Sequence, residues 1–440
     1  MSPPNTRRAF IRGSAAALTS SLLVGPQAAA LQAPSPNAAV GPPDGAPGAV
    51  ARNESYWSTI AAHYEISADF TNLENGYYGI MTRAVSDDFK RNIDKLNREN
   101  SCFLRREFDR DGIELIRAQL AQHLGVDTDE VAITRGATES LQNLISNYQL
   151  LRKGDTVLYG DLDYDAMQYA MNDLAERRGA NVVVVRTPEP ATRQGVIDAY
   201  DRAMQSNQRA KLLLLTHISH RTGLVYPVGD IVALARQRGI DVIVDVAQSW
   251  GQLDYRMADL RADFVGGNLH KWIGAPLGIG FIYIRKERLP AIGVHLGDRD
   301  YEASDIRSRV HSGTLNAAGI MTVPTALALH AEIGTKNKGA RLRYLRDHWV
   351  GQLRGNERVQ LLTPDADGMS GAVTSFRIRG KTSFEDNSAI SGQLMEQFRI
   401  FTVPRRGPVG GSCIRVTPAL FTATADLDRL VRAIGLIAKA

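Results

Sequence analysis

The run Gly239-Ile-Asp-Val-Ile-Val-Asp-Val-Ala-Gln248, read with Gly266-Gly-Asn-Leu-His-Lys-Trp272, decides how the rest of the chain is interpreted. Residues 241–246 are rich in Val and Ile, as expected of a strand buried on both faces in a parallel sheet. Such a strand delivers Asp245 and Gln248 at its carboxyl end, the edge where open α/β sheets bind ligands. A carboxylate after Val-Ile-Val is desolvated and needs a partner. Lys271 offers an amine that can form an imine, and Gly266, Gly267, Gly274 and Gly278 around it suit backbone lying close to a ligand. Taken singly, Lys271 reads as a surface lysine and Asp245 as a helix cap. Taken together they are the two groups that pyridoxal 5′-phosphate (PLP) requires: an acid to keep its ring nitrogen protonated and a lysine for its aldehyde. Asp245 and Lys271 are therefore the candidate catalytic residues, and PLP is the expected cofactor.

Outward from this pair, strands and helices alternate from about Glu54. Strands are expected at 156–160, 181–186, 211–216, 241–246, 263–266 and 278–284, with helices at 138–150, 165–178 and 228–238 between them. This pattern predicts an α/β fold with a large, mostly parallel mixed sheet covered by helices. Long helices over 315–333 and 339–354 lead away from it. Beyond them, 360–362, 372–379, 401–403 and 413–416 read as half-exposed antiparallel strands, with helices at 387–399 and 425–438, which predicts a smaller α+β carboxyl-terminal domain. The expected division is 53–333 for an N-terminal segment with the large domain and 334–440 for the small one. Thr134-Arg-Gly-Ala-Thr-Glu-Ser140 follows the apolar Val131-Ala-Ile133 and opens a helix. Its free amides and the Thr138 hydroxyl form either an anion site or a plain cap.

The formal net charge of +5 owes three charges to Arg7, Arg8 and Arg12, which have no acid among residues 1–30. The remainder is close to neutral and gives no reason to expect a nucleic-acid partner. Two cysteines, Cys102 and Cys413, are too few for a metal cluster or a disulfide framework, and two separate thiols are expected. No metal site is predicted. Thr6-Arg-Arg-Ala-Phe-Ile-Arg12, the mildly apolar Gly13–Val24 and Ala28-Ala-Ala30 resemble a twin-arginine signal peptide over residues 1–30. This implies the twin-arginine export machinery as a partner and a periplasmic destination. Residues 31–52, rich in Ala, Pro and Gly, read as a flexible leader.

Beyond these local readings, the chain resembles the class V aminotransferase family of fold-type I PLP enzymes, and within it the isopenicillin N epimerase branch. The resemblance runs from about Asn72 to the carboxyl terminus. It rests on Asn75-Gly76, Thr134–Ser140, His217-Ile-Ser-His-Arg-Thr-Gly223, Asp245-Val-Ala-Gln248, Asn268-Leu-His-Lys271, Gly313-Thr314 and Arg415-Val-Thr-Pro-Ala-Leu420. It implies that Ala137 and Thr138 bind the cofactor phosphate with His270 beside them, that Gln248 meets the phenolic oxygen, and that Tyr164 stacks on the ring. It further implies that Thr314 reaches the neighbouring subunit's cofactor in a homodimer, that Arg415 holds the substrate α-carboxylate, and that Asn75 lines the same pocket. Two positions depart from the family: Asn268 replaces a serine or threonine, and His220 replaces an asparagine. Arg405 and Arg406 are either selectors of a second anionic group or solvated loop charges.

The resemblance implies an enzyme acting at the Cα of an amino acid or amino-acid-containing peptide by transamination or epimerisation. Exported relatives tailor secreted peptides, which suggests such a role. The alternatives are a cysteine desulfurase or lyase of the same fold and a non-catalytic PLP-fold binding protein. A desulfurase needs a mobile, exposed cysteine, and Cys413 lies in an expected strand two residues before Arg415.

Overall fold

The alternating segments assemble into a seven-stranded sheet whose carboxyl edge carries Asp245 and its neighbours. The structure, a computed structural model, describes residues 41–439; the signal peptide read at 1–30 and residues 31–40 of the leader lie outside them. The described chain enters through α1 (Pro47–Ala51), α2 (Glu54–Ala61) and a two-residue strand, β1 (Thr71–Asn72). The long helix α3 (Arg83–Phe103) continues through a π-helical stretch, Leu104–Gly112, into α4 (Ile113–Leu124). Then come β2 (Val131–Thr134), α5 (Ala137–Ser146), β3 (Thr156–Gly160), α6 (Asp165–Arg178), β4 (Asn181–Val185), α7 (Arg193–Gln205), β5 (Ala210–Thr216) and α8 (Val228–Gln237). Three strands complete the layer: β6 (Asp241–Asp245), β7 (Phe264–Asn268) and β8 (Gly280–Ile284).

Spatial order is β2-β8-β7-β6-β5-β3-β4, and β8 alone runs against the others. Because side chains alternate across a strand, the Val/Ile/Leu runs feed two cores. Leu213, Leu215, Val242, Val244 and Val265 pack on one face, and Leu212, Leu214, Ile243 and Phe264 on the other. The strand expected at 263–266 is longer. Both glycines are inside β7, where a methyl on Gly267 would come within 2.4 Å of the Phe281 ring. Glycine here marks close packing and not the start of a loop.

The helix expected at 315–333 is two helices, α9 (Ala317–Met321) and α10 (Val323–Ile333), because Pro324 has no N–H to continue the first and suits the opening turn of the second. After α11 (Thr335–Leu353) come β9 (Val359–Leu361), β10 (Thr374–Ile378), α12 (Phe384–Phe398), β11 (Ile400–Phe401), β12 (Val403–Arg405), β13 (Cys413–Val416) and α13 (Thr424–Ile437). The antiparallel sheet β12-β13-β10-β9 is the smaller α+β layer. Its central strands β10 and β13 are buried throughout, not half-exposed as expected. Phe376, Ile378, Ile414 and Val416 pack under α12 and α13. The opposite, polar face is buried too: Ser375 Oγ donates to the Arg221 carbonyl, and Arg377 and Arg415 meet Glu189 and Glu74. Alternation is real, but the polar face meets protein instead of water.

The start of the described chain departs from expectation in two ways. Residues 47–51, read as part of a flexible leader, form a helix with Val50 and Ala51 buried, and Arg341 donates to the Ala51 carbonyl. The segment after α2, assigned to the large domain, pairs with the small layer: β1 lies parallel to β11, and Leu73 is in the small layer's core. Among the described residues no helix is long and apolar enough to cross a membrane.

Candidate active site

A cleft of about 540 Å³ lies at the carboxyl edge of the large sheet. Eight of the ten residues expected in the site line it: Ala137, Thr138, Tyr164, Asp245, Gln248, His270, Lys271 and Arg415. They come from five segments that the topology brings together: the start of α5, the start of α6, the ends of β6 and of β7 with their following turns, and β13. Cys102 and Cys413 are free thiols, the first exposed and the second buried.

Lys271 is buried, and that burial lowers its amine from 10.5 to about 8 against the opposing pull of Asp245. Asp245 is 7 % exposed, and its carboxyl is raised chiefly by burial. Its Oδ1 accepts from the Ala247 N–H at 2.8 Å, so it does secure the turn after β6, as a strand-end aspartate would. No cation pairs with it directly among the described residues. Gln248 donates from Nε2 to the Gly76 carbonyl at 2.7 Å and accepts from Trp272 Nε1 at 3.1 Å, which fixes its carboxamide and leaves one N–H. His270 is pushed down to about 4, mainly by burial, so its ring is neutral, with Nδ1 3.3 Å from the Ile279 carbonyl.

Helix α5 starts at Gly136 with no side-chain cap, leaving the first amides, Ala137 and Thr138 included, facing the cleft. A helix start of this kind binds anions through its N–H groups and dipole. Asn268 Oδ1, also in the cleft, is buried without a hydrogen-bond partner, an arrangement that a ligand relieves. Tyr164 stands at the mouth, 42 % exposed, with its ring edge-on to His220 at 5.4 Å between centroids. The donor set fits PLP: open amides for phosphate, a buried acid for the ring nitrogen, and a neutralisable amine for the aldehyde.

The other two expected residues lie elsewhere. Asn75 is beside the cleft but not in its lining; its Nδ2 donates to the Thr417 carbonyl at 2.8 Å and the Asn72 carbonyl at 3.3 Å. Its amide fastens the 72–76 segment to the strand-end at Thr417, and its side chain lines a small neighbouring pocket together with Lys271. Thr314 is exposed and outside this cleft.

Three residues that matter to the site were not picked out from sequence. Glu74, 9 % exposed, pairs with Arg415 through both carboxylate oxygens, Oε2 accepting from Nε at 3.2 Å and Oε1 from Nη2. Nothing in Leu73-Glu74-Asn75 signals a partner 341 positions away. Gly79 donates from its N–H to the His270 carbonyl at 2.8 Å, and a methyl there would lie 2.1 Å from the Lys271 carbonyl oxygen. Only glycine lets this segment close over the lysine turn. Lys338, in α11, is buried and donates to the Trp272 carbonyl next to Lys271. Its signal was available: it sits on the same helical stripe as Leu342, Leu345 and Trp349.

The family profile described as Aminotransferase class-V matches residues 100–395. The chain belongs to the class V aminotransferase family. Its fold is fold-type I and its cofactor is PLP. It is 28 % identical over 401 residues to isopenicillin N epimerase of Amycolatopsis lactamdurans, a match covering 87 % of this chain and 99 % of that protein. Among solved structures, the cysteine desulfurase CsdA of Escherichia coli superposes with a TM-score of 0.74 at 20 % identity, covering 87 % of this chain and 98 % of that one. A C-DES variant with glycine covalently linked to its PLP cofactor gives 0.72 at 22 % identity, covering 83 % and 96 %.

Proposed function

We propose that this family member is an exported enzyme acting at the Cα of an amino acid or of an amino-acid-containing peptide, by transamination or epimerisation. The observation that carries the reading is the shared cleft of Lys271, Asp245 and the uncapped start of α5. PLP bound there supplies an electron sink for the bonds at Cα. The chain's own groups do the rest. The open amides at Ala137 and Thr138 anchor the phosphate, Asp245 keeps the ring nitrogen protonated, and Gln248 orients the phenolic side. Lys271 Nζ moves the Cα proton, and its depressed basicity suits it to do so near neutral pH.

Likeness to desulfurases is balanced by the thiols. Cys413 is fully buried with its thiol pushed up to about 11 by burial, and Cys102 is outside the cleft lining. Cys413 thus lacks the exposed, acidic character of a sulfur-accepting nucleophile, and Cys102, although exposed, is not in the site. Full retention of Lys271, Asp245 and Gln248 in one cleft likewise argues against a protein that only binds. The motif at residues 6–12 supports twin-arginine export to the periplasm, and a secreted peptide is a fitting substrate there. Thr314, exposed and outside its own cleft, is consistent with a homodimer in which it serves a neighbour's site.

Incubation with candidate amino acids in heavy water separates the outcomes. Deuterium at Cα of recovered substrate marks epimerisation chemistry, keto acid marks transamination, and sulfide from cysteine replaces both with desulfuration. Lys271→Ala should abolish turnover and leave no borohydride-fixable cofactor on the chain; covalent cofactor in that variant refutes the site.

A further inference from the structure

Arg415 faces the cleft with its Nε–Nη2 edge already occupied. That edge is the one suited to two-point recognition of a carboxylate, and Glu74 takes both of its positions. Nη1 donates to the His220 carbonyl at 2.6 Å, so three of the five donors are engaged. The Gly76 backbone also lies against the guanidinium: a methyl on Gly76 would sit 3.0 Å from its carbon. Arg415 is 1 % exposed and Glu74 9 %. The pair is internally neutral, and it ties the 73–76 segment to β13 and the His220 turn.

The neighbouring cation is in a different condition. Arg405 ends β12, one strand over from β13, and lines the same cleft as Lys271. Its Nη2 is 3.6 Å from Glu74 Oε1, beyond a good hydrogen bond, and its Nε is buried without any partner. Glu74 thus stands between two arginines while satisfying only one. The cluster Arg405–Glu74–Arg415 carries one net positive charge; each Arg415 nitrogen has a partner, and the nitrogen buried without one is Arg405 Nε. The Arg405 side chain is part-buried, and a buried Nε–H left without a partner is costly unless an anion completes it.

We infer that Arg405 is the specificity-determining residue that takes a substrate carboxylate, and that Glu74 converts Arg415 into a positioning residue. The ligand class is an amine bearing one carboxylate, held by Arg405 beside Lys271. The carboxylate belongs either to the α-position or to a side chain. This deepens the proposed Cα chemistry and rests on it for the amine partner, whereas the anion site stands without it.

The test uses the PLP-loaded full chain and four probes. Propanoate, a carboxylate without an amine, is titrated by calorimetry. L-alanine, L-isoglutamine and L-alaninamide are titrated by their effect on the visible cofactor band. Arg405→Gln should weaken propanoate binding about ten- to a hundredfold, as expected for a lost charge-assisted contact, and leave L-alaninamide within about twofold. A greater loss for L-alanine assigns the α-carboxylate, and a greater loss for L-isoglutamine assigns the side-chain carboxylate. Glu74→Ala in the Arg405→Gln background should recover much of the propanoate affinity, because it frees the Arg415 edge; a purely structural role for Arg405 gives no such rescue. Arg405→Lys, which keeps the charge at a strand edge, serves if the double variant does not fold, and should bind propanoate more tightly than Arg405→Gln. Unchanged propanoate binding in Arg405→Gln overturns the inference, as does an equal loss for L-alanine and L-alaninamide. If propanoate depends on Arg405 while no amine alters the wild-type band, the anion site is upheld and the Cα reading fails.

Discussion

Lys338→Met tests the buried amine beneath the lysine turn. Lys338 is 5 % exposed, its Nζ donates to the Trp272 carbonyl and lies 3.4 Å from His330 Nδ1, and burial pushes it from 10.5 down to about 7. Methionine has a similar length and no charge. The folded-state value is depressed, so between about pH 7 and 10.5 the unfolded chain binds the extra proton. Stability contributed by the neutral amine is complete above 10.5 and is lost as pH falls towards 7. Each tenfold change in proton affinity is worth about 1.4 kcal/mol, so wild type should gain about 2 kcal/mol on Lys338→Met between about pH 7 and about pH 9. Other titrating groups are common to both chains and drop out of the difference; His330, which Lys338 also perturbs, is held well below its usual value chiefly by burial and stays neutral over this range. Urea unfolding of the two proteins at the two pH values reads it directly, provided the slopes match. A difference constant to within about 0.5 kcal/mol would mean that the amine is not held neutral by burial, and the reasoning fails. The variant should also lose cofactor faster, because the Trp272 carbonyl loses its donor next to Lys271.

Three further outcomes are expected. The rate at which cofactor-free chain takes up PLP should rise with pH and level off near 8, since only the neutral Lys271 amine attacks an aldehyde and burial sets its value at about 8; a rise continuing past pH 10, followed in the visible band, contradicts this. Asp245→Ala should lower turnover on the order of a hundredfold while sparing cofactor retention, and small, equal losses in both would leave Asp245 only structural. Gly79→Ala drives a methyl into the Lys271 carbonyl and should cost about 1–3 kcal/mol of stability with looser cofactor binding; an unchanged melting temperature and cofactor content would show that the 75–80 segment does not clamp the turn.

The large sheet was legible because a strand buried on both faces writes an unbroken apolar run, and the 156–160 and 241–246 segments do so. Helix ends were legible where glycine stops the chain, as at Gly179 after α6. Errors came where partners are remote. The polar face of β10 and β13 reads as solvent-facing until Arg221, Glu189 and Glu74 are known to cover it, and α1 reads as linker until α11 lies against it. Lys271 and Asp245 could be paired from local context alone, and the cleft contains both. The occupancy of Arg415 could not be read, because Glu74 carries no local mark, nor could the tie of the Asn75 amide to Thr417, 342 positions away.

The parallel pairing of β1 with β11, continued by Asn75 and Glu74 onto Thr417 and Arg415, makes the pocket a seam between the two ends of the folded chain. Asp245 and Lys271 come from the middle of the polypeptide, whereas the walls beside them come from Gly76 on one side of it and Arg405 and Arg415 on the other. Closing a loop of this span is a late, entropically costly event. Reactive groups and selecting groups thus occupy different stretches of the chain, and the second set depends on its longest-range contacts.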